Sequence, residues 1–302
     1  MNCFSLDAVV DNVSTSGNPY HVSANVLAFI SILTFVVSSL SHNYSQTDKL
    51  WSIMPWIYAW TAVNDMRTMI MALLATIWGI RLTWNFNRRG GYCWPIWLGD
   101  EDYRWSYLKK GYFITLLTNP LVWHIFNFAF ISCFQNFLLF MIAAPSFIAF
   151  EASKCAPKGL NLLDFLATII FLMFVIIESI ADNQQFSFQK DKYEKIKNGE
   201  TLKLHYKDGF LQMGLFAYSR KPNYAAEQAI WLSYYLFSIS ATGRIWNWSA
   251  LGWITLCILL QMSARLTETI SCAKYPKYEI YMKQVPLFFP KLSKFLGTMK
   301  SH

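Results

Sequence analysis

Apolar runs of near membrane-spanning length recur along this chain, separated by short polar stretches. Seven candidate spans follow from that pattern, at 23–41, 50–63, 66–84, 121–145, 160–181, 225–242 and 246–264. A helix needs about 20 mostly apolar residues to cross the hydrocarbon core. The pattern therefore predicts an all-α fold, a polytopic membrane helical bundle of about seven transmembrane helices. The second run is short for a span, so it is either tilted among its neighbours or partly re-entrant. Neither an internal repeat nor a long linker divides the chain. The expected organisation is a lumenal N-terminal segment over 1–22 and a single integral-membrane domain over 23–302. The polar N-terminus lacks a basic n-region, so no cleaved signal peptide is read and the first apolar run serves as a signal anchor.

Composition supports this reading. Of 302 residues, 54% are hydrophobic and only 15% charged, whereas a soluble domain is nearer a quarter charged. The six cysteines (Cys3, Cys93, Cys133, Cys155, Cys257 and Cys272) are scattered without a CxxC, and no HxxxH pair occurs. That pattern points to neither a disulfide framework nor a metal site. The net charge of +8 orients the spans. With the N-terminus in the lumen and the C-terminus in the cytosol, all but four of the 26 Lys and Arg (Arg67, Lys154, Lys158 and Arg244) face the cytosol. Such a face attracts anionic membrane lipids or a phosphate-bearing ligand. Nucleic acid is not an expected partner, because these residues sit on loops tied to a bilayer.

Three polar clusters mark the cytosolic ends of spans. "IWGIRLTWNFNRRGGY" closes the third span with Arg81, Asn85, Asn87, Arg88 and Arg89. "FVIIESIADNQQFSFQ" closes the fifth, with Glu178 and Asp182 four apart on one helix face. "AYSRKPNYAAEQAIWLSYY" opens the sixth. There Pro222 suits a first helical turn, Arg220 and Lys221 join that turn's free N–H groups as an anion site, and Asn223 and Glu227 share a face. Trp51, Trp56, Trp231, Trp246 and Trp248 read as an interfacial belt, and a single border Arg or Lys reads as snorkelling. Glu178 and Glu227 are different, because a carboxylate within a span is costly unless it is paired or lines a polar cavity. The clusters together predict a cavity open to the cytosol, basic at its mouth, with carboxylates and amides deeper. A phosphate-bearing dinucleotide fits it. No GxGxxG follows a predicted strand, so a Rossmann domain is not the holder.

"SRKPNY" followed by "AAE" resembles the "SRHPNYfGE" signature of the steroid 5-alpha-reductase-like membrane family, in its large uncharacterised branch. "DKLWSIMPWIYAW", "WGIRLTWNFNRRGGY", "EDYRW", "ESIADNQQFSF" and "TETISCAKYPKYEIYMKQVPLFFP" resemble that branch in order. The resemblance implies a steroid-5-alpha-reductase-like seven-helix fold, an endoplasmic reticulum location, and NADPH held in the bundle from the cytosolic side. The implied reaction is hydride transfer to an activated carbon–carbon double bond of a lipid or sterol-like substrate. The implied cofactor contacts are Asn87, Arg88, Asp182, Arg220, Asn223, Tyr224 and Glu227, with Glu268, Tyr275 and Tyr278 closing the site. Enone reduction also needs a proton donor near the carbonyl oxygen. Trp78 stands where a steroid reductase places its tyrosine, so Tyr58 and Glu178 are the candidate catalytic substitutes, and the resemblance assigns that role to neither. Lys221 replaces the signature's His, Ala226 its Gly, and Gln189 a basic residue. Two other readings stay open: an S-adenosylmethionine-dependent methyltransferase of the isoprenylcysteine type, and a non-catalytic membrane scaffold or lipid binder. Nothing identifies protein partners.

The charge pattern generates a test. Asn12, in Asn12-Val13-Ser14, should lie in the lumen and Asn43, in Asn43-Tyr44-Ser45, in the cytosol. Glycan mapping should find Asn43 unmodified; a glycan there would reverse the orientation.

Overall fold

The computed structural model describes residues 18–203 and 206–290, so Asn12 and most of the expected 1–22 segment lie outside the described residues. Helices dominate and no strand occurs among the described residues. In chain order they are α1 (Pro19–Ser41), α2 (Gln46–Leu50), α3 (Met54–Thr61), α4 (Met66–Asn87), α5 (Tyr103–Lys109), α6 (Pro120–Phe126), α7 (Gln135–Cys155), α8 (Leu162–Lys197), α9 (Pro222–Thr242), α10 (Ala250–Lys274) and α11 (Tyr278–Gln284). A π-helical stretch, Asn127–Phe134, joins α6 to α7.

Local chemistry sets the helix starts. Asn18 accepts from Tyr20 N with Pro19 in the first turn. Asp65 and Thr68 close a capping box ahead of α4. Asn119 caps α6 before Pro120. Five helical stretches are long and apolar enough to cross a bilayer: Pro19–Ser41, Met66–Asn87, Pro120–Cys155, Leu162–Lys197 and Ala250–Lys274. They mark an integral membrane protein. The expected 50–63 span is instead broken into α2 and the eight-residue α3, with Pro55 in the first turn of α3. α9 has the length of a span, but Asn223, Glu227 and Gln228 lower its hydropathy.

α1 is built for lipid. Its exposed positions are large and apolar (Phe29, Ile32, Leu33, Val36, Leu40), while Ser23, Ser31, Thr34 and Ser38 are buried. Small and hydroxyl residues allow close helix approach where hydrocarbon, rather than water, surrounds the bundle.

The described residues form two compact units, 18–171 with 231–257, and 172–203 and 206–230 with 258–290; each boundary falls inside a helix. In the first unit, Asn127 donates to Ser38 Oγ at 3.0 Å and Asn136 to Thr34 Oγ1 at 3.1 Å, giving α1 a polar seam. Gly252 lets α10 lie against the backbone of Met141, where any side chain would collide. Trp231 does not belong to the expected interfacial belt. It is buried, with its ring edge-on to Trp78 at 4.8 Å. Trp78 is therefore core packing.

One buried ion pair stands near the starts of α4 and α8. Arg67 donates through Nε (2.8 Å) and Nη2 (3.0 Å) to Asp164, and through Nη2 to Gly159 O at 2.8 Å. Both side chains are almost wholly enclosed. Removing one partner strands a buried charge. Arg67→Met should therefore cost about 3–5 kcal/mol, read as a lower melting temperature in detergent, and Arg67→Met with Asp164→Leu should recover most of it. Equal melting of wild type and the single variant would contradict this account.

Candidate functional site

The second unit holds most of the expected site residues. Along α8, Val175, Glu178, Ala181, Asp182, Phe188 and Lys192 are buried, so one helix face carries three ionisable groups inward. Pro222 starts α9 and fixes where the chain turns back. Asn223 Nδ2 donates to Asp182 Oδ1 at 3.4 Å, a long bond. α8 and α9 pair antiparallel. Within the first unit the Phe171 and Tyr234 rings are 6.1 Å apart and Asn161 donates to Ser240 O at 3.5 Å. In that register Glu227, one turn into α9, is level with Glu178, one turn back along α8, and both are buried. Two acceptor carboxylates, an aspartate and an amide thus occupy one stretch of the α8–α9 pairing. Tyr224 stands beside them, its hydroxyl 3.3 Å from Ser263 Oγ.

Arg220 departs from the expected phosphate-binding role. Its guanidinium donates to Glu268 through Nε (2.5 Å) and Nη2 (3.2 Å). Nη1 donates to the carbonyls of Met282 (2.9 Å) and Val285 (2.5 Å). The main chain repeats the connection, with Arg220 N on Pro286 O and Lys221 N on Leu287 O, at 2.9 and 3.0 Å. Ser219 Oγ adds a bond to Leu287 O. A planar, forked donor suits two carboxylate oxygens and two carbonyls better than an ammonium would. Arg220 and Glu268 are therefore one fastening between the start of α9, α10 and the 282–287 segment at the end of α11. Lys221, its Nζ 5.8 Å from the Tyr224 ring centre, is the other basic group of this turn.

Tyr275 and Tyr278 form an aromatic cluster around Phe210, at 5.7 and 4.9 Å between ring centres, joined by Tyr281 at 5.3 Å. Burial, and then the Glu268 carboxylate, raises the pKa of Tyr278 well above its ordinary value, so this phenol stays neutral at physiological pH. Tyr281 is raised likewise by burial, and its hydroxyl donates to Phe216 O at 2.6 Å. Phe210 and Tyr281 were not foreseen as members; the C-terminal motif contains Tyr281, but Phe210 lies in an unremarkable loop. Lys192 was missed too. Its amine donates to Gly209 O at 2.9 Å and lies 3.5 Å from Tyr275 Oη, tying the 206–212 loop to α8. Gly209 has a φ of +83° and sits where a Cβ would strike Tyr275, so glycine is required.

The first unit holds the remaining expected residues. Tyr58 is buried in α3, edge-on to Phe140 at 5.5 Å. Asn87 ends α4 and is exposed, while Asn85 is buried and accepts from Arg88 Nε and Nη2 at 3.0 and 2.7 Å. Two residues apart on a helix means opposite faces, so Asn85 rather than Asn87 is the amide that anchors Arg88. Two clefts in this unit, one beside Lys109 and one beside Arg67, contain none of the expected site residues.

The sequence profile of the family described as "Protein of unknown function (DUF1295)" matches residues 34–285. The chain is 33% identical over 297 residues to "Uncharacterized protein C594.04c" of Schizosaccharomyces pombe, covering 91% of this chain and 80% of that protein. No solved structure matches the chain.

The Arg220 fastening generates its own test. Arg220→Gln removes the charge and most of the donors, so the 282–287 backbone should loosen and trypsin should cut at Lys283 several-fold faster in the folded protein. Cleavage at the wild-type rate would show that the fastening does not hold this segment.

Proposed function

The chain belongs to the family described as "Protein of unknown function (DUF1295)", and we propose that it is a membrane-embedded, NADPH-dependent reductase of a carbon–carbon double bond in a lipid or sterol-like substrate. The observation that carries the reading is the buried acceptor set on α8 and α9, Glu178, Asp182, Asn223 and Glu227, at the end of α8 that runs on into polar turns. Buried carboxylates at such a depth mark a polar locus within the membrane-spanning segments. The donor-rich end of a nicotinamide nucleotide, with its carboxamide N–H groups and ribose hydroxyls, is chemically suited to such a locus. Asp182, Asn223 and Glu227 would hold that end, with Tyr224 beside them. Arg220 is committed to Glu268, so in this unit Lys221 and the first turn of α9 are the candidates for the phosphates. Asn87 and Arg88 remain proposed contacts from the first unit.

Bound NADPH supplies the hydride for such a reduction. The chain's own part is to orient the cofactor, exclude water and place a proton donor. Glu178 and Tyr58 are the proposed donors, Glu178 by its place in the acceptor set. The motif order favours a steroid-5-alpha-reductase-like arrangement of seven spans, in which α3 and α9 join the five apolar helices. The cytosolic bias of Lys and Arg favours a lumenal N-terminus and cytosolic C-terminus, and a lipid substrate favours the endoplasmic reticulum.

Cofactor titration on purified protein tests this. Wild type should bind NADPH and not S-adenosylmethionine. Glu227→Gln and Asn223→Ala should fold yet bind NADPH more weakly, the latter by roughly 1–3 kcal/mol if a buried partner loses its hydrogen bond. Wild type that ignores NADPH and binds S-adenosylmethionine would replace the reductase reading with a methyltransferase, and binding of neither would leave a scaffold.

A further inference from the structure

A second site lies in the first unit, and its argument is independent of the reductase reading. A cleft of about 220 Å³ opens between the turn after α1 and the entry to α6, lined chiefly by His42, Tyr44, Lys109, Thr118, Trp123 and His124. Its floor is aromatic. Tyr44 and Trp123 are buried and meet edge-on, with ring centres 4.9 Å apart. Lys109 stands over both rings, its Nζ 5.0 Å from the Tyr44 centre and 5.7 Å from that of Trp123. Its amine is also 3.4 Å from Tyr44 Oη. His42, Lys109 and His124 are exposed at the rim.

The lining contains no carboxylate. Acidic side chains of the surrounding loops are held in hydrogen bonds of their own. Glu101 accepts from Tyr44 N at 2.7 Å, Asp48 from Trp105 Nε1 at 2.8 Å, and Asp102 from Arg104 Nη2 at 2.7 Å. Lys109 is therefore the formal charge of the lining itself, and the imidazoles add N–H donors. An ammonium held over two aromatic faces is partly shielded from water yet keeps hydrogens for an anion.

Position selects the anion. The cleft sits where two apolar, membrane-length helices meet: His42 caps the C-terminus of α1, and Pro120 begins the Pro120–Cys155 stretch. Beside the rim, Tyr112, Phe113 and Leu116 are exposed, and Leu121 and Ile125 continue an exposed apolar path along α6. A free phosphate would use the cationic rim and leave that path bare. A phospholipid uses both, with its headgroup in the cleft and an acyl chain along α6. We infer that this cleft is a binding site for the phosphate-bearing headgroup of an anionic phospholipid, with Lys109 as its principal contact.

The test is native mass spectrometry of the delipidated full chain in detergent, offered equal amounts of phosphatidylserine and phosphatidylcholine. Wild type should retain phosphatidylserine preferentially. Lys109→Glu and the milder Lys109→Gln, both changes at an exposed position, should each lower that retention by at least about fivefold, the worth of one basic group near an anionic headgroup. Lys110→Glu, exposed but outside the lining, should leave it unchanged. Equal retention of the two lipids, wild-type retention in both Lys109 variants, or an equal loss in Lys110→Glu would overturn the site. Competition separates the sources of phosphate: millimolar inorganic phosphate should fail to displace the lipid, and complete displacement would assign the cleft to free phosphate instead.

Discussion

The second unit depends on the ion pair between Arg220 and Glu268. One guanidinium, two residues before the proline that starts α9, spends its donors on a carboxylate of α10 and on two carbonyls at the end of α11, those of Met282 and Val285. Three segments distant in sequence are thereby held at one point. Arginine is the residue for this task, because its fork meets several acceptors at once and its charge survives burial. The nearby main-chain bonds to Pro286 and Leu287 make the attachment continuous rather than a single contact. Phe210, Tyr278, Tyr281 and Val285 then fill the space beside it.

Buried polarity is the common theme of both units. In hydrocarbon there is no water to satisfy an N–H, a carbonyl or a charge, so each must find an internal partner. Arg67 finds Asp164 and Gly159 O; Lys49, also buried, finds the carbonyls of Ile96 and Leu98 at 2.8 and 2.7 Å. These groups fasten loops to helices. The set formed by Glu178, Asp182, Asn223 and Glu227 gathers three carboxylates and an amide at one level of two antiparallel helices.

Much of this was legible in the sequence, for physical reasons. Length and apolarity located the membrane-length helices, and Pro222 marked the start of α9 because its fixed φ and missing N–H suit a first turn. The four-residue spacings of Glu178 with Asp182 and of Asn223 with Glu227 placed each pair on one face. Other features depend on pairings that periodicity does not contain. The partner of Arg220 lies 48 residues away, so the arginine read as a phosphate ligand. Trp231 read as a border aromatic because its burial depends on Trp78 in a different helix. α8 continues to Lys197 through "DNQQFSFQKDKYEKIK", whose polar residues resemble a loop by hydropathy but keep helical turns together. Asn85, not Asn87, anchors Arg88 because the end of α4 turns one inward and the other out.

The account's central claim is that the acceptor set on α8 and α9 receives a nicotinamide cofactor. Its most direct measurement is hydrogen–deuterium exchange of the purified full chain with and without NADPH. The account predicts slower exchange over 178–186 and 220–230 together when NADPH is added. Unchanged exchange in both segments at saturating NADPH, or protection confined to other parts of the chain, would contradict it.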